Sequence, residues 1–274
     1  MKQHAYRNLF AVVVFALVLL TAMTNDNVWA GTVPEQSLAS LKAEMEAAYA
    51  GKMPHEWGET VTGVKTSLKT KDRVIALTFD ACGSPKGKGV DMDLIHFLEH
   101  EKIPATLFIN ARWIDANLDL FMSLASNPLF TIGNHGFQHR PASVNGRSVY
   151  GIDGTKDVAG LVDEIEMNAR KIERLTGKRP RYYRSGTAYY DEIAVQVAER
   201  LGHKVIGFSV LGDAGATFSK EQVTAALLSA RPGSIVILHM NHPESGTGQG
   251  VMAAVPLLKK KGFRFVGLDE YQLQ

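Results

Sequence analysis

From Val74 to Val266 the sequence alternates short apolar runs with longer amphipathic stretches, and this limits the possible folds more than any other feature. The runs are residues 74–79, 105–109, 130–132, 181–184, 204–210, 234–238 and 263–266. Short continuous apolar runs bounded by Gly and Pro are the pattern of strands buried on both faces of a parallel sheet. Between them helical spacing recurs, first at Val90, Leu94, Phe97 and Leu98. A second helix is predicted around 115–126, stopped before Pro128. The clearest amphipathic pattern is Val158, Leu161, Val162, Ile165, Ala169 and Ile172, closed by Gly177. Ala194, Val197, Ala198 and Leu201 mark another helix, and Ser219-x-x-Gln222 is a capping box that opens the next. Val251, Val255 and Leu258 mark the last. Such alternation requires parallel strands joined by right-handed crossovers. Seven strands over roughly 200 residues predict an α/β fold, a distorted (β/α)7 barrel, in preference to the eight-unit form. An open doubly wound sheet is the alternative.

The rest of the chain is read around this unit. Lys2 and Arg7, an apolar run over 9–22 and the small-residue site Val28-Trp29-Ala30 give residues 1–30 the pattern of a secretory signal peptide. The apolar run is shorter than the ~20 residues of a spanning helix. Export to the periplasm or the extracellular space is therefore expected, with no stable membrane span after cleavage; an uncleaved membrane anchor is the alternative. Residues 31–73 are assigned to an N-terminal helix and a connecting segment, and 74–274 to the main domain. Leu38, Leu41, Met45 and Ala48 give the helix its apolar face. The Gly-, Thr- and Lys-rich stretch that follows suggests a short hairpin near Val61 and Val64, and Trp57 is expected as an anchoring contact. A formal net charge of +2 over 274 residues gives no electrostatic case for nucleic-acid binding. The single cysteine, Cys82, excludes an intrachain disulfide and reads as a small buried hydrophobe, with a thiol that faces the site as the alternative.

Polar residues collect at the C-terminal ends of the predicted strands, where α/β barrels place their chemistry. The first strand ends in Asp80, which is either a turn cap or a site carboxylate. The third leads into His135 and His139, whose i, i+4 spacing on a helical turn would aim both imidazoles at one metal ion. Two His and a carboxylate with open positions make a recurrent hydrolytic metal site; zinc suits the set, and cobalt or nickel could fit it. The fourth strand ends in Arg184, suited to steadying a carboxylate. The fifth leads to Asp213. The sixth ends in His239, a candidate general acid that Asp213 could orient.

In this order the landmarks resemble the polysaccharide deacetylase family, the NodB-homology group of carbohydrate esterases. Thr78-Phe79-Asp80-Ala81 resembles its first motif, Thr-Phe-Asp-Asp. His135 and His139 match its His-x-x-x-His motif, Arg184 the start of its third and Asp213 the Asp of its fourth. Leu238-His239 matches its fifth. The resemblance runs from Val74 to Tyr271. It implies a distorted barrel and removal of N-acetyl groups from an amino-sugar polysaccharide with the help of a divalent metal, zinc. Asp80 would be the base, His239 the acid, Arg184 the support of the base and Asp213 the group that tunes the acid. His135, His139 and Asp80 would form the metal set. A backbone N–H within 185–187 would hold the oxyanion. An N-acetylated glycan is the implied partner. Hydrolysis of another C–N amide bond in a small substrate, or glycan binding without catalysis, are the alternatives.

The departures fall within the motifs. Ala81 replaces the usual metal-binding Asp, Arg184-Ser185-Gly186-Thr187 replaces Arg-Pro-Pro-Tyr, and Ala214 stands where a Trp often follows the Asp. Asp80 is thereby left with two possible jobs, ligand and base.

Overall fold

The computed structural model describes residues 36–84 and 87–274. The signal-peptide assignment over 1–30 lies outside the described residues. The described residues form eight strands: β1 (Val74–Ala81), β2 (Ala105–Ile109), β3 (Phe130–Asn134), β4 (Tyr182–Tyr183), β5 (Lys204–Val205), β6 (Val210–Leu211), β7 (Ser234–His239) and β8 (Arg264–Phe265). All their pairings are parallel, in the order β5-β4-β3-β2-β1-β7-β6, with β8 beside the start of β1. The two ends of that path belong to one stretch of chain, 204–211. Ile206 N–H donates to Tyr183 at 2.9 Å and Ser209 N–H to Ile235 at 3.0 Å, so the stretch bridges both ends and the sheet closes into a distorted barrel.

The strand expected at 204–210 is thus split in two, with a physical cause. Arg184 takes the carbonyls of Ile206 (Nε, 3.1 Å) and Gly207 (Nη2, 3.0 Å) out of the sheet ladder. Counting the split strand once leaves the seven strands that the alternation implies.

β1 is the centre of the molecule and is buried along its whole length. Its side chains alternate as a strand requires. Ile75, Leu77 and Phe79 join the outer apolar cluster, with Leu94 of α2 (Met92–His100), Phe121 of α4 (Leu118–Ser126), Val223 of α7 (Lys220–Leu228) and Val251 of α8 (Thr247–Lys260). Val74 and Ala76 face the barrel interior with Phe108, Ile235 and Val266. Burial of each large outer side chain contributes about 1.5–3 kcal/mol. Thr78 and Asp80 share the inner parity, and Thr78 satisfies its hydroxyl on the Val236 carbonyl at 2.7 Å.

A third cluster lies between α5 (Val158–Thr176), α6 (Glu192–Arg200) and α1 (Leu38–Tyr49). α1 is capped by Ser37 and buries Met45 and Tyr49. The helix expected at 115–126 is broken at Asn117, giving α3 (Ala111–Ala116) and α4; the Asn117 amide donates to the Trp113 and Lys88 carbonyls. No hairpin forms in the connecting segment. Its polar groups bond instead to other parts of the chain: Lys65 to Val205, Leu68 to Gly233 and Ser67 to Gln274. Trp57 packs half-buried on Tyr189, with ring centroids 5.8 Å apart. No helix among the described residues is long and apolar enough to cross a membrane.

Candidate active site

The inner parity of β1 delivers Asp80 to the barrel's C-terminal end, 2% exposed. Arg184, just after β4, meets it there: Nη1 lies 2.8 Å from Asp80 Oδ1. The guanidinium has no exposure and sits 4.3 Å from the Phe108 ring centroid. A buried charge pair of this kind holds only if its remaining donors are satisfied, and the two carbonyls from the split strand do so. Asp80 Oδ2 stays outside the pair, 3.7 Å from His135 Nε2.

His135 follows β3 directly. Its Nδ1 donates to the Arg184 carbonyl at 2.9 Å, which fixes the tautomer and leaves the Nε2 lone pair free. The two histidines do not share a helical turn, as their spacing suggests; residues 135–140 are a loop. Gly136 has φ +74° and His139 φ +62°. Three groups impose this path. Asn134 Oδ1 accepts the Gly136 N–H at 2.9 Å, and Asn110 Nδ2 donates to the carbonyls of His135 and Gly136. Glu164, buried on α5, accepts from Gln138 N–H at 2.8 Å and Arg140 N–H at 3.1 Å. Burial pushes Glu164 up to about 7 against those same bonds. The result brings the rings edge to face, with centroids 4.9 Å apart.

His239 ends β7, beside Asp80 in the register with β1. Burial alone would lower its pKa, but the Asp213 carboxylate raises it well above the ordinary value. Asp213 is itself lowered: burial opposes this, and His239 and the hydroxyl of Thr247 overcome it.

Cys82 departs from the main reading of it and takes the alternative. It is not an inert core residue; its Sγ lies 3.8 Å from His135 Nε2, and the potential ligand atoms of Cys82, His135 and His139 all lie within 4.8 Å of one another. Burial would raise the thiol, but the charge of His139 and the neighbouring imidazoles of His135, His139 and His239 hold it well below its usual value. Ala81, expected beside the metal, packs instead in the outer cluster with Phe79. His139 Nε2 is buried without a hydrogen-bond partner. An orphaned imidazole nitrogen beside a second free imidazole nitrogen and a thiol fits a divalent soft or borderline metal.

The expected oxyanion donors are fewer than the sequence suggested. Ser185 N–H is bonded to the Tyr190 hydroxyl and Gly186 N–H to the Arg140 carbonyl. Thr187 remains, with a buried hydroxyl that has no partner. Its loop is pressed on the loop that carries His139: a Cβ on Gly186 would stand 2.3 Å from the His139 carbonyl carbon.

Sequence reasoning placed Asp80, Arg184, Asp213, His239, His135 and His139, and all six converge here. It missed Glu164 and Thr247 and held Cys82 only as an alternative. Glu164 was legible as an acid on the apolar face of α5, three residues after Leu161 and next to Ile165.

The molecule is an α/β barrel with titratable groups gathered at its C-terminal mouth, the architecture of barrel enzymes. Its sequence matches the polysaccharide deacetylase family over residues 67–206, slightly more than half of the chain, and the chain belongs to that family. A curated relative, the uncharacterized protein YlxY of Bacillus subtilis (strain 168), is 19% identical over 177 residues, 62% of this chain and 49% of the relative. The chain thus spans about half the length of that relative. Among solved structures, the family 4 carbohydrate esterase PdaA of Bacillus subtilis superposes with a TM-score of 0.64 at 21% identity, covering 84% of this chain and 87% of that one. A family 4 pseudoenzyme from Bacillus anthracis gives 0.62 at 19%, covering 75% and 67%. A cobalt-bound family 4 acetyl xylan esterase from Clostridium thermocellum gives 0.58 at 20%, covering 72% and 89%. At these identities the likeness is one of fold.

Proposed function

We propose that this chain is an exported, metal-dependent hydrolase that removes N-acetyl groups from an amino-sugar polysaccharide of the cell envelope or its surroundings. The observation that carries the reading is the supported carboxylate and imidazole: Asp80 is held by Arg184 beside His135, and His239, next to Asp80 in the strand register, is held by Asp213. Family membership supports the deacetylase class, and the pattern of residues 1–30 supports export. His135 and His139 would hold a divalent ion, which when bound supplies Lewis acidity and lowers the pKa of water. With Oδ1 committed to Arg184, Asp80 Oδ2 is the oxygen that takes a proton from the attacking water. Thr187 offers an amide and a hydroxyl to the acetamide oxygen as charge develops there. His239, kept protonated by Asp213, passes a proton from Nε2 to the departing amine. Acetate and a free amino sugar result.

The test is acetate release from chitin oligomers, peptidoglycan and poly-N-acetylglucosamine, set against small N-acetyl amides, with zinc supplied. Release from at least one glycan, faster than from the small amides, is expected. Release from small amides alone would move the activity to another C–N hydrolase, and glycan binding without release would make the chain a non-catalytic member.

A further inference from the structure

Two imidazoles are one fewer than the three protein ligands usual at a catalytic zinc. We propose that Cys82 is the third ligand of this site, so that the metal is held by a thiolate and two imidazoles, and that Asp80 stands outside the coordination sphere. The inference rests on the reading above that the chain uses a metal ion, and it names the site's chemistry.

Strand geometry is the first support. Asp80 faces inward and Ala81 outward, into the cluster with Phe79. The next residue, Cys82, returns to the inner side as the period of two requires. The turn beyond it is tight: Gly83 has φ +67°, and a Cβ there would stand 2.4 Å from the Trp113 backbone nitrogen. Helix α3 thereby pins the position from which Cys82 projects.

Distances are the second. Ligand bonds of zinc to sulfur and nitrogen in a tetrahedral arrangement put neighbouring ligand atoms about 3.4–3.6 Å apart. Cys82 Sγ is 3.8 Å from His135 Nε2, and the three ligand atoms lie within 4.8 Å of one another. Small side-chain rotations close that gap. The third support is independent of the cysteine. His139 Nε2 is buried with no hydrogen-bond partner, and with His135 Nδ1 committed to the Arg184 carbonyl the lone pair of His135 Nε2 is aimed at the same space. A cation satisfies both.

Asp80 is not in the set whose ligand atoms all lie within 4.8 Å of one another: its Oδ1 is bound to a buried arginine, and its Oδ2, 3.7 Å from His135 Nε2, is the oxygen left for the base. A thiolate carries the charge that a carboxylate ligand would, but it is softer. The site should therefore favour zinc and cobalt over magnesium, manganese and calcium.

The test uses Co2+ alone, added to chelator-stripped full-length protein. A Co2+–thiolate bond gives a near-ultraviolet charge-transfer band that oxygen and nitrogen ligands do not give. Wild type should bind one equivalent and show the band. Cys82→Ser should lose the band and bind at least about tenfold more weakly. Cys82→Asp should lose the band yet bind more tightly than Cys82→Ser. Asp80→Asn should keep both band and affinity within about threefold, whatever its effect on turnover. The wild-type spectrum reads the proposal directly, so misfolding of a variant does not obscure it. Co2+ bound at one equivalent without the band would overturn Cys82 as a ligand and leave metal dependence standing. No Co2+ bound at all would overturn the metal reading and this proposal with it.

Discussion

Asp213 grips His239 at two points: Oδ2 accepts the backbone N–H at 2.7 Å, and Oδ1 pairs with Nδ1 at 2.9 Å. One carboxylate therefore sets both the position of the ring and its charge. Thr247 donates to Oδ2 at 2.9 Å and keeps the carboxylate aligned.

The first prediction follows from the sign of that coupling. The anionic partner raises the pKa of His239, and the acid role needs the protonated ring, so activity falls as pH rises through that pKa. Asp213→Asn removes the charge and lowers the pKa. The basic limb of the pH–rate profile should move to lower pH, with kcat down about ten- to a hundredfold. A limb that stays in place would detach Asp213 from the acid.

Arg184→Met should be strongly destabilising. It strands a buried carboxylate and frees two buried carbonyls, at a cost of about 3–5 kcal/mol. Arg184→Lys should recover only part of this, because a single ammonium cannot span the three acceptors. Denaturant unfolding of both variants measures the difference. Equal stability of the two would mean that the guanidinium fork is not what matters.

Glu164 acts on the proposed metal site through the backbone. Glu164→Ala leaves the N–H groups of Gln138 and Arg140 without their acceptor, at a cost of about 1–3 kcal/mol. It should also weaken zinc binding, since His139 depends on that loop for its positive φ. Zinc titration of the folded variant checks this. Unchanged affinity would show that the loop holds its shape without Glu164.

His203 lies outside the site, between α6 and β5. It is 2% exposed, neither ring nitrogen has a hydrogen-bond partner, and burial together with the Arg179 charge holds its pKa down to about 3. The unfolded chain takes up its proton near 6.5 and the folded chain does not. Stability is therefore full above that value and is lost as pH falls through the window from 6.5 towards 3. His203→Phe should flatten the dependence of unfolding free energy on pH across this window. An unchanged slope would assign the acid sensitivity elsewhere.

Much of this arrangement was legible in the sequence because strands of a barrel deliver their ends to one mouth. Asp80, Arg184, Asp213 and His239 each end or follow an apolar run, and the fold does the rest. The loop geometry was not legible. The spacing of His135 and His139 suits a helical turn, and bonds from Asn110, Asn134 and Glu164 hold the segment open. Nor was the break at 204–211, which depends on where the Arg184 fork finds its acceptors. Cys82 was legible in part. Carrying the alternation of β1 two residues past Asp80 places a thiol on its side of the strand, whereas a lone cysteine judged by residue type alone looks like core.

The most direct test of the account adds zinc back to chelator-stripped protein while acetate release from an N-acetylglucosamine oligomer is followed. Activity should be absent without metal, rise in proportion to added zinc and level off at one equivalent. His139→Ala should stay inactive at that equivalent. Release that survives stripping, or that never appears at any zinc level on any N-acetylated glycan, would contradict a metal-dependent deacetylase.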